Sequence, residues 1–278
     1  MTSYTTKDIS VGEHSIRVHR AGEGRSQPLV FLHGSGPGVT ALSNWEGAIE
    51  RLGEAFDCIA PDILGFGNST HPDPAPQGMT AFTEARVKSI FGLLDALGLD
   101  RVDLVGNSMG GLFALEMAIA QPERIGRITL MGSGGVPFAP GPGLVKLVTF
   151  YDDPTAGALE ALMRCFLYGV AAFGDLQALS RSRLDLTVRA DVRRSHLATF
   201  AGASHAVDQE ALTHITSPVM LIHGRDDQII PVDVSLQLLA LLPQSHLHLL
   251  GQCGHWSQLE KPAEFDYLIS GFHGRRGL

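Results

Sequence analysis

The chain alternates between short hydrophobic runs and longer segments whose hydrophobic residues recur every three to four positions. Short runs are typical of β-strands, and the longer segments are typical of amphipathic or buried helices. The runs cover residues 15–19, 28–33, 58–60, 101–105, 127–131, 218–222 and 246–250. The helical patterns cover residues 44–55, 79–97, 108–121, 232–242 and 263–272. This order predicts an α/β fold with a mostly parallel sheet that carries helices on both faces.

The alternation stops between residue 132 and about residue 214, where no run suits a parallel strand. This stretch opens with the glycine- and proline-rich sequence GSGGVPFAPGPG and continues with helical pieces such as residues 158–168. We therefore predict a core formed by residues 1–133 and 215–278. Residues 134–214, called the lid segment below, are predicted to be a helical insertion over one edge of the sheet.

Composition narrows the class of protein. The chain has 278 residues, 44% of them hydrophobic, which is enough for a large core. Its formal net charge of −8 argues against a nucleic-acid-binding surface, which would be basic. Three scattered cysteines favour free thiols over a disulfide framework or a zinc site, and no stretch suits a signal peptide or a transmembrane helix. We expect a soluble cytoplasmic protein that binds neither nucleic acid nor membrane.

A candidate nucleophile lies where the run at 101–105 meets the next helical pattern. Gly106-Asn107-Ser108-Met109-Gly110 fits G-x-S-x-G, with a strand before it and a helix after it. A serine at such a turn is held away from the sheet, and its neighbours must be small. The alternative is an ordinary turn in which Ser108 caps the helix.

The residues that would activate this serine follow in the order that the motif requires, an acid and then a histidine. The sequence HGRDDQIIP follows one late hydrophobic run and offers Asp226 and Asp227, and GQCGHWSQ follows the next run and offers His255. Both lie just after predicted strands, where open α/β sheets carry their sites. We assign Asp227, four residues before Pro231, as the carboxylate that orients His255; Asp226 could equally cap the turn.

A glycine-rich loop, HGSGPG at residues 33–38, follows an early strand. It lacks the spacing of a phosphate-binding loop. Its position suits the second half of an oxyanion hole, in which the backbone N–H groups of Ser35 and Met109 would face a developing negative charge. The alternative is a plain Gly/Pro turn.

The sequence resembles the meta-cleavage product hydrolases, a branch of the α/β-hydrolases, over nearly its whole length. The resemblance rests on HGSGPG followed by Ser43-Asn44-Trp45, and on APDILGFGNS, GNSMGG, GRDDQIIP and GHW. It implies an α/β-hydrolase fold with an inserted helical lid. It also implies Ser108, Asp227 and His255 as the catalytic triad, with Ser35 and Met109 as the oxyanion donors.

The same resemblance implies a set of substrate contacts: Asn44, Asn107, Phe166, Arg183 and Trp256. Each has a structural alternative. Asn44 could cap a helix, and Asn107 could hold the turn through backbone hydrogen bonds. Trp256 and Phe166 could belong to the core.

An arginine that binds the carboxylate of the substrate is expected in the lid segment, at Arg181 or Arg183, and the later match at Arg189 favours Arg183. Independently of the resemblance, residues 181–194 contain five arginines and two aspartates, a net local charge of +3 in an acidic protein. A guanidinium suits two-point binding of a carboxylate. Most of these arginines are expected on a solvated helix face.

Together these features predict hydrolysis of a carbon–carbon bond in a 2-hydroxy-6-oxohexa-2,4-dienoate, giving 2-hydroxypenta-2,4-dienoate and a carboxylic acid. No metal or organic cofactor is expected, and the resemblance implies a homo-oligomer, a dimer or larger. One alternative is a carboxylesterase or lactonase with the same triad. Another is a non-catalytic receptor on the same fold, which the presence of all three triad members disfavours.

Overall fold

A computed structural model describes residues 4–25, 27–169 and 176–274. In this part of the chain, eight strands form one sheet in the order β1-β2-β4-β3-β5-β6-β7-β8. The strands are β1 (Thr5–Val11), β2 (His14–Ala21), β3 (Pro28–Leu32), β4 (Asp57–Pro61), β5 (Val102–Asn107), β6 (Ile125–Met131), β7 (Val219–Gly224) and β8 (Ser245–Leu250). β1 pairs with β2, and β2 with β4, in antiparallel fashion, whereas the pairs from β4 to β8 are parallel.

The helices of the core are α1 (Ala41–Leu52), α2 (Gly78–Ala96), α3 (Met109–Ala120), α9 (Val232–Leu241), α10 (Ser257–Glu260) and α11 (Pro262–His273). The lid segment contains α4 (Pro142–Val148), α5 (Ala156–Cys165), α6 (Leu176–Thr187), α7 (Ala190–Thr199) and α8 (Gln209–Thr213). The mostly parallel α/β fold is therefore confirmed. Between β6 and β7 the described residues contain no strand, as the sequence predicts.

The buried strands alternate between two apolar layers because successive side chains of a strand point to opposite faces. Leu29 and Phe31 of β3 pack with α1 and α11 on one face. Val30 and Leu32 of the same strand join the cluster that contains α2, α3 and α9 on the other face. Helices thus cover both faces, which explains why these strands read as continuous hydrophobic runs.

β1 is the strand that the hydrophobic pattern does not predict. Most of its side chains are exposed, so it lacks the alternation that marks a half-buried strand. Its hairpin partner β2 was recognisable because Ile16 and Val18 are buried.

The strand order places a crevice at the carboxyl ends of β3 and β5. From β3 the chain continues to β4 on one side, and it later returns to β5 on the other side. Loops after such neighbouring strands diverge, and ligands of open α/β sheets bind between them. The loop of residues 33–38 and the turn at Ser108 are these two loops.

The lid segment is joined to the core by a buried arginine of α2. Arg86 donates hydrogen bonds to the Leu64 carbonyl (3.1 Å) and, through Nη2, to Thr199 Oγ1 of α7 (2.8 Å). Its guanidinium also lies 3.8 Å from the centre of the Phe82 ring and 4.5 Å from that of Phe66. Burial lowers the pKa of the Arg86 guanidinium to about 9 because the charged form loses its hydration.

No helix in the described ranges combines the length and the hydrophobicity that crossing a membrane requires. The cysteines Cys58, Cys165 and Cys253 are buried and unpaired.

Candidate active site

Ser108 lies at the turn between β5 and α3 with φ 55° and ψ −116°. A positive φ is uncommon for a residue other than glycine and indicates local strain. The Ser108 side chain makes no capping hydrogen bond to α3, so the alternative of an ordinary helix cap is not what the structure contains. The turn instead directs the side chain into a cavity.

The small residues around Ser108 are required by close backbone contacts. A Cβ atom on Gly106 would lie 2.5 Å from the carbonyl oxygen of Gly110, and one on Gly110 would clash with the carbonyl oxygen of Leu32. Real Cβ atoms do not approach so closely. The G-x-S-x-G spacing is therefore explained by the packing of the turn against β3.

Asp227 and His255 form a close pair. His255 Nδ1 and Asp227 Oδ2 are 2.6 Å apart, and Asp227 Oδ1 accepts the backbone N–H groups of Ile229 (2.7 Å) and Ile230 (3.0 Å). Asp226 takes a different role, because its carboxylate lies 3.5 Å from Arg225 at the surface.

A second histidine, His223, was not selected from the sequence. It is the penultimate residue of β7, and its Nε2 lies 3.0 Å from the Ile230 carbonyl and 3.4 Å from Asp227 Oδ2. Burial alone would raise the pKa of Asp227, but the interactions with His255 and His223 lower that pKa below its usual range. The carboxylate therefore stays charged, which requires His255 to carry its proton on Nδ1. The sequence did contain a signal for His223, since this histidine lies near the end of a hydrophobic run and four residues before Asp227.

His255 Nε2 is buried and has no hydrogen-bond partner among the described residues; no hydrogen bond joins it to Ser108 Oγ. The two residues nevertheless belong to one region. The N–H of Ser108 donates to the Met131 carbonyl (3.0 Å), and a Cβ atom on the next residue, Gly132, would lie 2.9 Å from His255 Nδ1. Catalytic hydrogen bonds are often longer in the free enzyme than with substrate bound. The triad stays a prediction.

The two predicted oxyanion donors flank Ser108. Ser35 and Met109 line the same cavity as Ser108. Within the described part of the chain, neither backbone N–H has a hydrogen-bond acceptor. Met109 is the first residue of α3, so its N–H is one of those that a helix leaves unpaired. Both groups are therefore available to an oxygen bound beside Ser108.

Arg183 of α6 is the second fully buried arginine, with 1% of its surface exposed. Its Nη2 donates to Ser43 Oγ (3.1 Å), whereas Nε and Nη1 are buried and have no hydrogen-bond partner among the described residues. Burial lowers the pKa of this guanidinium to about 10. A buried cation with two unused donors suits an anionic ligand, because that ligand would restore the lost interactions.

Arg183 and Ser108 lie on either side of the glycine loop after β3. A Cβ atom on Gly34 would be 3.0 Å from Ser108 Cβ, and one on Gly36 would be 4.0 Å from Arg183 Nη1. The loop that carries Ser35 thus runs from the candidate nucleophile to the buried guanidinium.

Comparison with known proteins agrees with this geometry. Residues 27–262 match the sequence pattern of the alpha/beta hydrolase fold family. The chain is 38% identical to 2-hydroxymuconate semialdehyde hydrolase from Pseudomonas sp. strain CF600, with 92% of this chain and 90% of that protein covered. It is 36% identical to a 2-hydroxy-6-oxononadienedioate/2-hydroxy-6-oxononatrienedioate hydrolase from Paraburkholderia xenovorans strain LB400, with 94% and 91% covered.

Among solved structures, 2-hydroxy-6-oxo-6-phenylhexa-2,4-dienoate hydrolase from Rhodococcus sp. strain RHA1 superposes with a TM-score of 0.93 at 34% identity, covering 98% of this chain and 100% of that one. The chain belongs to the meta-cleavage product hydrolases of the α/β-hydrolase fold family. The resemblance drawn from its motifs is confirmed.

Phe166 and Trp256 of this hydrolase form a buried stack. Their ring centres are 4.3 Å apart at an angle of 15°, and the Phe166 ring is 5.5 Å from that of His255. The guanidinium of Arg183 lies 5.0 Å from the Trp256 ring. Neither aromatic ring lines the cavity at Ser108. They cover His255 and Arg183, and a direct contact of either ring with substrate stays a prediction.

Asn44 and Asn107 are buried next to each other, with Asn44 Nδ2 3.4 Å from Asn107 Oδ1. Asn44 does not cap α1, since Thr40 does so through its side chain. Asn107 Nδ2 donates to the Met131 carbonyl (3.0 Å), so this side chain joins the ends of β5 and β6. This matches the alternative in which Asn107 holds the turn through hydrogen bonds to the backbone. Neither residue lines the cavity, and their contact with substrate stays a prediction.

The other arginines of the lid segment do not share the burial of Arg183. Arg181 is exposed. Arg189 pairs with Asp191 (2.6 Å), and Arg194 lies 3.4 Å from Asp73. Arg193 faces the Tyr151 ring at 5.7 Å. Burial therefore distinguishes Arg183 from Arg181 as the inward-facing residue.

Glu260 of α10 was not predicted to matter. One carboxylate oxygen accepts the N–H of Gly254 (2.6 Å) beside His255, and the other accepts the N–H of Tyr168 (2.7 Å) in the lid segment. His255 N–H itself donates to the Phe166 carbonyl (2.8 Å). The loop that holds the imidazole is thus joined to the lid segment directly by the hydrogen bond of His255 N–H and indirectly through Glu260.

Nothing in the described ranges forms a cluster of three or more His, Cys, Asp or Glu side chains that could bind a metal ion.

Proposed function

We propose that this protein hydrolyses the C5–C6 bond of a 2-hydroxy-6-oxohexa-2,4-dienoate. The products are 2-hydroxypenta-2,4-dienoate and a carboxylic acid, so one water is consumed. The observation that carries the proposal is the Arg183 guanidinium, which is buried beside the loop of Ser35 with two nitrogens that have no partner among the described residues. An ester hydrolase has no need of such a group, whereas a dienoate carries a carboxylate at C1 as well as a carbonyl at C6.

Carbon is a poor leaving group, so the dienol must first become a ketone. The C2 hydroxyl loses its proton and C5 gains one, which gives a 2,6-dioxo-hex-3-enoate. When C5–C6 then breaks, the electron pair flows through C4 and C3 to the C2 oxygen. Arg183 would hold the C1 carboxylate and would stabilise the negative charge that reaches the neighbouring C2 oxygen when C5–C6 breaks. Protonation of that oxygen then gives the 2-hydroxy group of the product.

Ser108 is the proposed nucleophile, or the group that activates a water, at C6. His255 Nε2 would take the proton, since Nδ1 is committed to Asp227. Asp227 would fix this tautomer and stabilise the imidazolium. The N–H groups of Ser35 and Met109 would donate to the C6 oxygen as it becomes negative. Loss of one such donor typically costs about 3 kcal/mol of transition-state stabilisation.

The experiment follows the loss of the yellow colour of dienoates made by ring fission of catechols and of 2,3-dihydroxybiphenyl, with p-nitrophenyl esters as competing substrates. We expect wild type to bleach at least one dienoate with a kcat/KM at least tenfold above that for any ester. Ser108→Ala is expected to retain dienoate binding without turnover. Failure to bleach every dienoate, or faster turnover of an ester, would overturn the proposal.

The surroundings of this reaction are part of the same proposal. The enzyme would work in the cytoplasm as a homo-oligomer, on a small anionic substrate, without a cofactor and without contact to nucleic acid or membrane. The three unpaired cysteines are consistent with a reducing compartment.

A further inference from the structure

The cavity at Ser108 is large and apolar. Its volume is about 430 Å³. For comparison, an apolar cavity of about 150 Å³ is enough to bind benzene. The wall includes Leu112 of α3, Val136, Leu144 and Val148 of the lid segment, and Phe200 after α7. None of the described lining residues is Lys, Arg, Asp or Glu.

The cavity begins at Ser108 but does not extend to the buried guanidinium. Ser35, Ser108 and Met109 line it, whereas Arg183 does not. Arg183 instead lies at the far end of the glycine loop, next to Gly36. A substrate with its carboxylate at Arg183 and its C6 carbonyl at Ser108 therefore places the group beyond C6 in the cavity.

One polar side chain in the wall has its donors and acceptors already used. His205 Nε2 lies 2.7 Å from Glu116 Oε1, and His205 Nδ1 lies 3.2 Å from Thr80 Oγ1. A second carboxylate in the cavity would meet no free cation and would lie near the negative Glu116. Like charges in a poorly hydrated site repel strongly.

We propose that this cavity selects dienoates whose C6 substituent is an uncharged apolar group of aryl size. The proposal rests on the proposed function and names its substrate class. A hydrogen or methyl group at C6 would leave most of the apolar wall unused, and a carboxylate would be excluded. The relatives do not decide the matter, since their names specify a semialdehyde, a dioate and a 6-phenyl compound.

The test compares kcat/KM for three dienoates that differ only at C6: phenyl, methyl and the propanoate chain of 2-hydroxy-6-oxonona-2,4-dienedioate. We expect the phenyl compound to exceed the methyl compound by about 10–100-fold, because buried apolar area adds to transition-state binding. We expect the dioate to be about 100-fold or more below the phenyl compound, in keeping with the cost of an unpaired buried charge.

Two variants locate the effect. Val148→Phe would fill part of the cavity and lower the phenyl-to-methyl ratio of kcat/KM at least tenfold. Val188→Phe, the same change at a side chain that is 76% exposed, would leave the ratio at its wild-type value. Glu116→Gln would raise kcat/KM for the dioate relative to the phenyl compound at least threefold.

The outcomes separate the two proposals. Bleaching of the methyl compound or the dioate at a kcat/KM equal to or above that of the phenyl compound overturns this inference and leaves the proposed function standing. An unchanged ratio in Val148→Phe also overturns it, since the substituent would then lie elsewhere. If none of the three compounds is bleached, both this inference and the proposed function are overturned.

Discussion

The described part of the chain contains two fully buried arginines, and they differ in what surrounds them. Arg86 directs one nitrogen to the Leu64 carbonyl, one to Thr199 Oγ1 and one to Met109 Sδ, and it lies against aromatic rings. Arg183 lies beside the Trp256 ring and donates to Ser43 Oγ, and its other two nitrogens have no hydrogen-bond partner in the part of the chain that the structure describes. Neither forms an ion pair with a described carboxylate.

The difference shows how a buried charge can be assigned to structure or to binding. Both guanidinium groups give up hydration. Around Arg86 the fold replaces the lost water with oxygen acceptors and ring faces, so the group is satisfied in the free protein. Around Arg183 it supplies one hydroxyl acceptor and one ring face, and among the described residues Nε and Nη1 have no acceptor. A buried donor without an acceptor lowers the stability of the folded protein unless a ligand supplies the missing hydrogen bonds.

The largest expected effect is that of Arg183→Met on dienoate hydrolysis. Two charge-assisted hydrogen bonds, each worth roughly 1.5–3 kcal/mol, correspond to a loss of about 10²–10⁴ in kcat/KM. Steady-state bleaching assays measure it. Arg181→Met, a change at an exposed arginine two positions earlier, serves as the control and should stay within about twofold of wild type. A loss below tenfold in Arg183→Met would mean that the carboxylate binds elsewhere.

Arg86→Met should instead lower the free energy of unfolding. The Leu64 carbonyl would lose its donor, and an orphaned buried group costs about 1–3 kcal/mol. Urea unfolding measures the change, with Arg183→Met as the matched variant. Since the latter removes two unsatisfied donors, its free energy of unfolding should fall by less than about 1 kcal/mol. A higher free energy of unfolding in Arg86→Met than in wild type would contradict the conclusion that Arg86, unlike Arg183, stabilises the free protein.

Ligand-induced stabilisation should depend on one arginine only. Sorbate, a six-carbon dienoate, at ten times its Kd should stabilise wild type by about 1.4 kcal/mol. For a chain of this size that corresponds to a rise in Tm of about 3–5 °C by thermal scanning. Arg86→Met should retain the rise and Arg183→Met should lose it. The uncharged alcohol hexa-2,4-dien-1-ol should have no effect on any of the three, and a rise with it would assign the stabilisation to the carbon chain.

The smallest effect is expected from Ser43→Ala, which removes the one hydrogen bond of Arg183. A bond worth about 0.5–1.5 kcal/mol corresponds to a KM that is about 2–10-fold higher, with kcat changed less. Thr40→Ala is the control, because it removes the other half of the α1 capping box and leaves the Ser43 hydroxyl in place. Equal KM values in the two variants would show that helix capping, not the arginine, is responsible.

The sequence was informative where one residue type has few reasons to occupy its position. Ser108 between glycines and His255 after a late strand follow from the motif and the chain order, which leave Asp226 and Asp227 both open as the acid. The burial of the two arginines could not be predicted from the sequence in this way. Arg86 sits in an ordinary helical pattern, so nothing in its spacing shows that three phenylalanines surround it. Arg183 needed the family resemblance.

Contacts between distant segments were also beyond the sequence. Glu260 reads as a surface acid at the start of a helix, and His223 reads as the end of a strand. Their roles depend on which loops the fold brings together. The exposed strand β1 was not predicted because it lacks the hydrophobic alternation on which strand prediction depends.

The attachment of the imidazole loop through Glu260 couples the position of His255 to that of the lid segment. Outward movement of the corner at Tyr168 and Phe166 would pull on the backbone at Gly254, next to His255. Val145 of helix α4 both lines the cavity and is 46% exposed, so the cavity approaches the surface at α4. The exposed part of the cavity wall and the attachment of the His255 loop therefore lie on different elements of the lid segment.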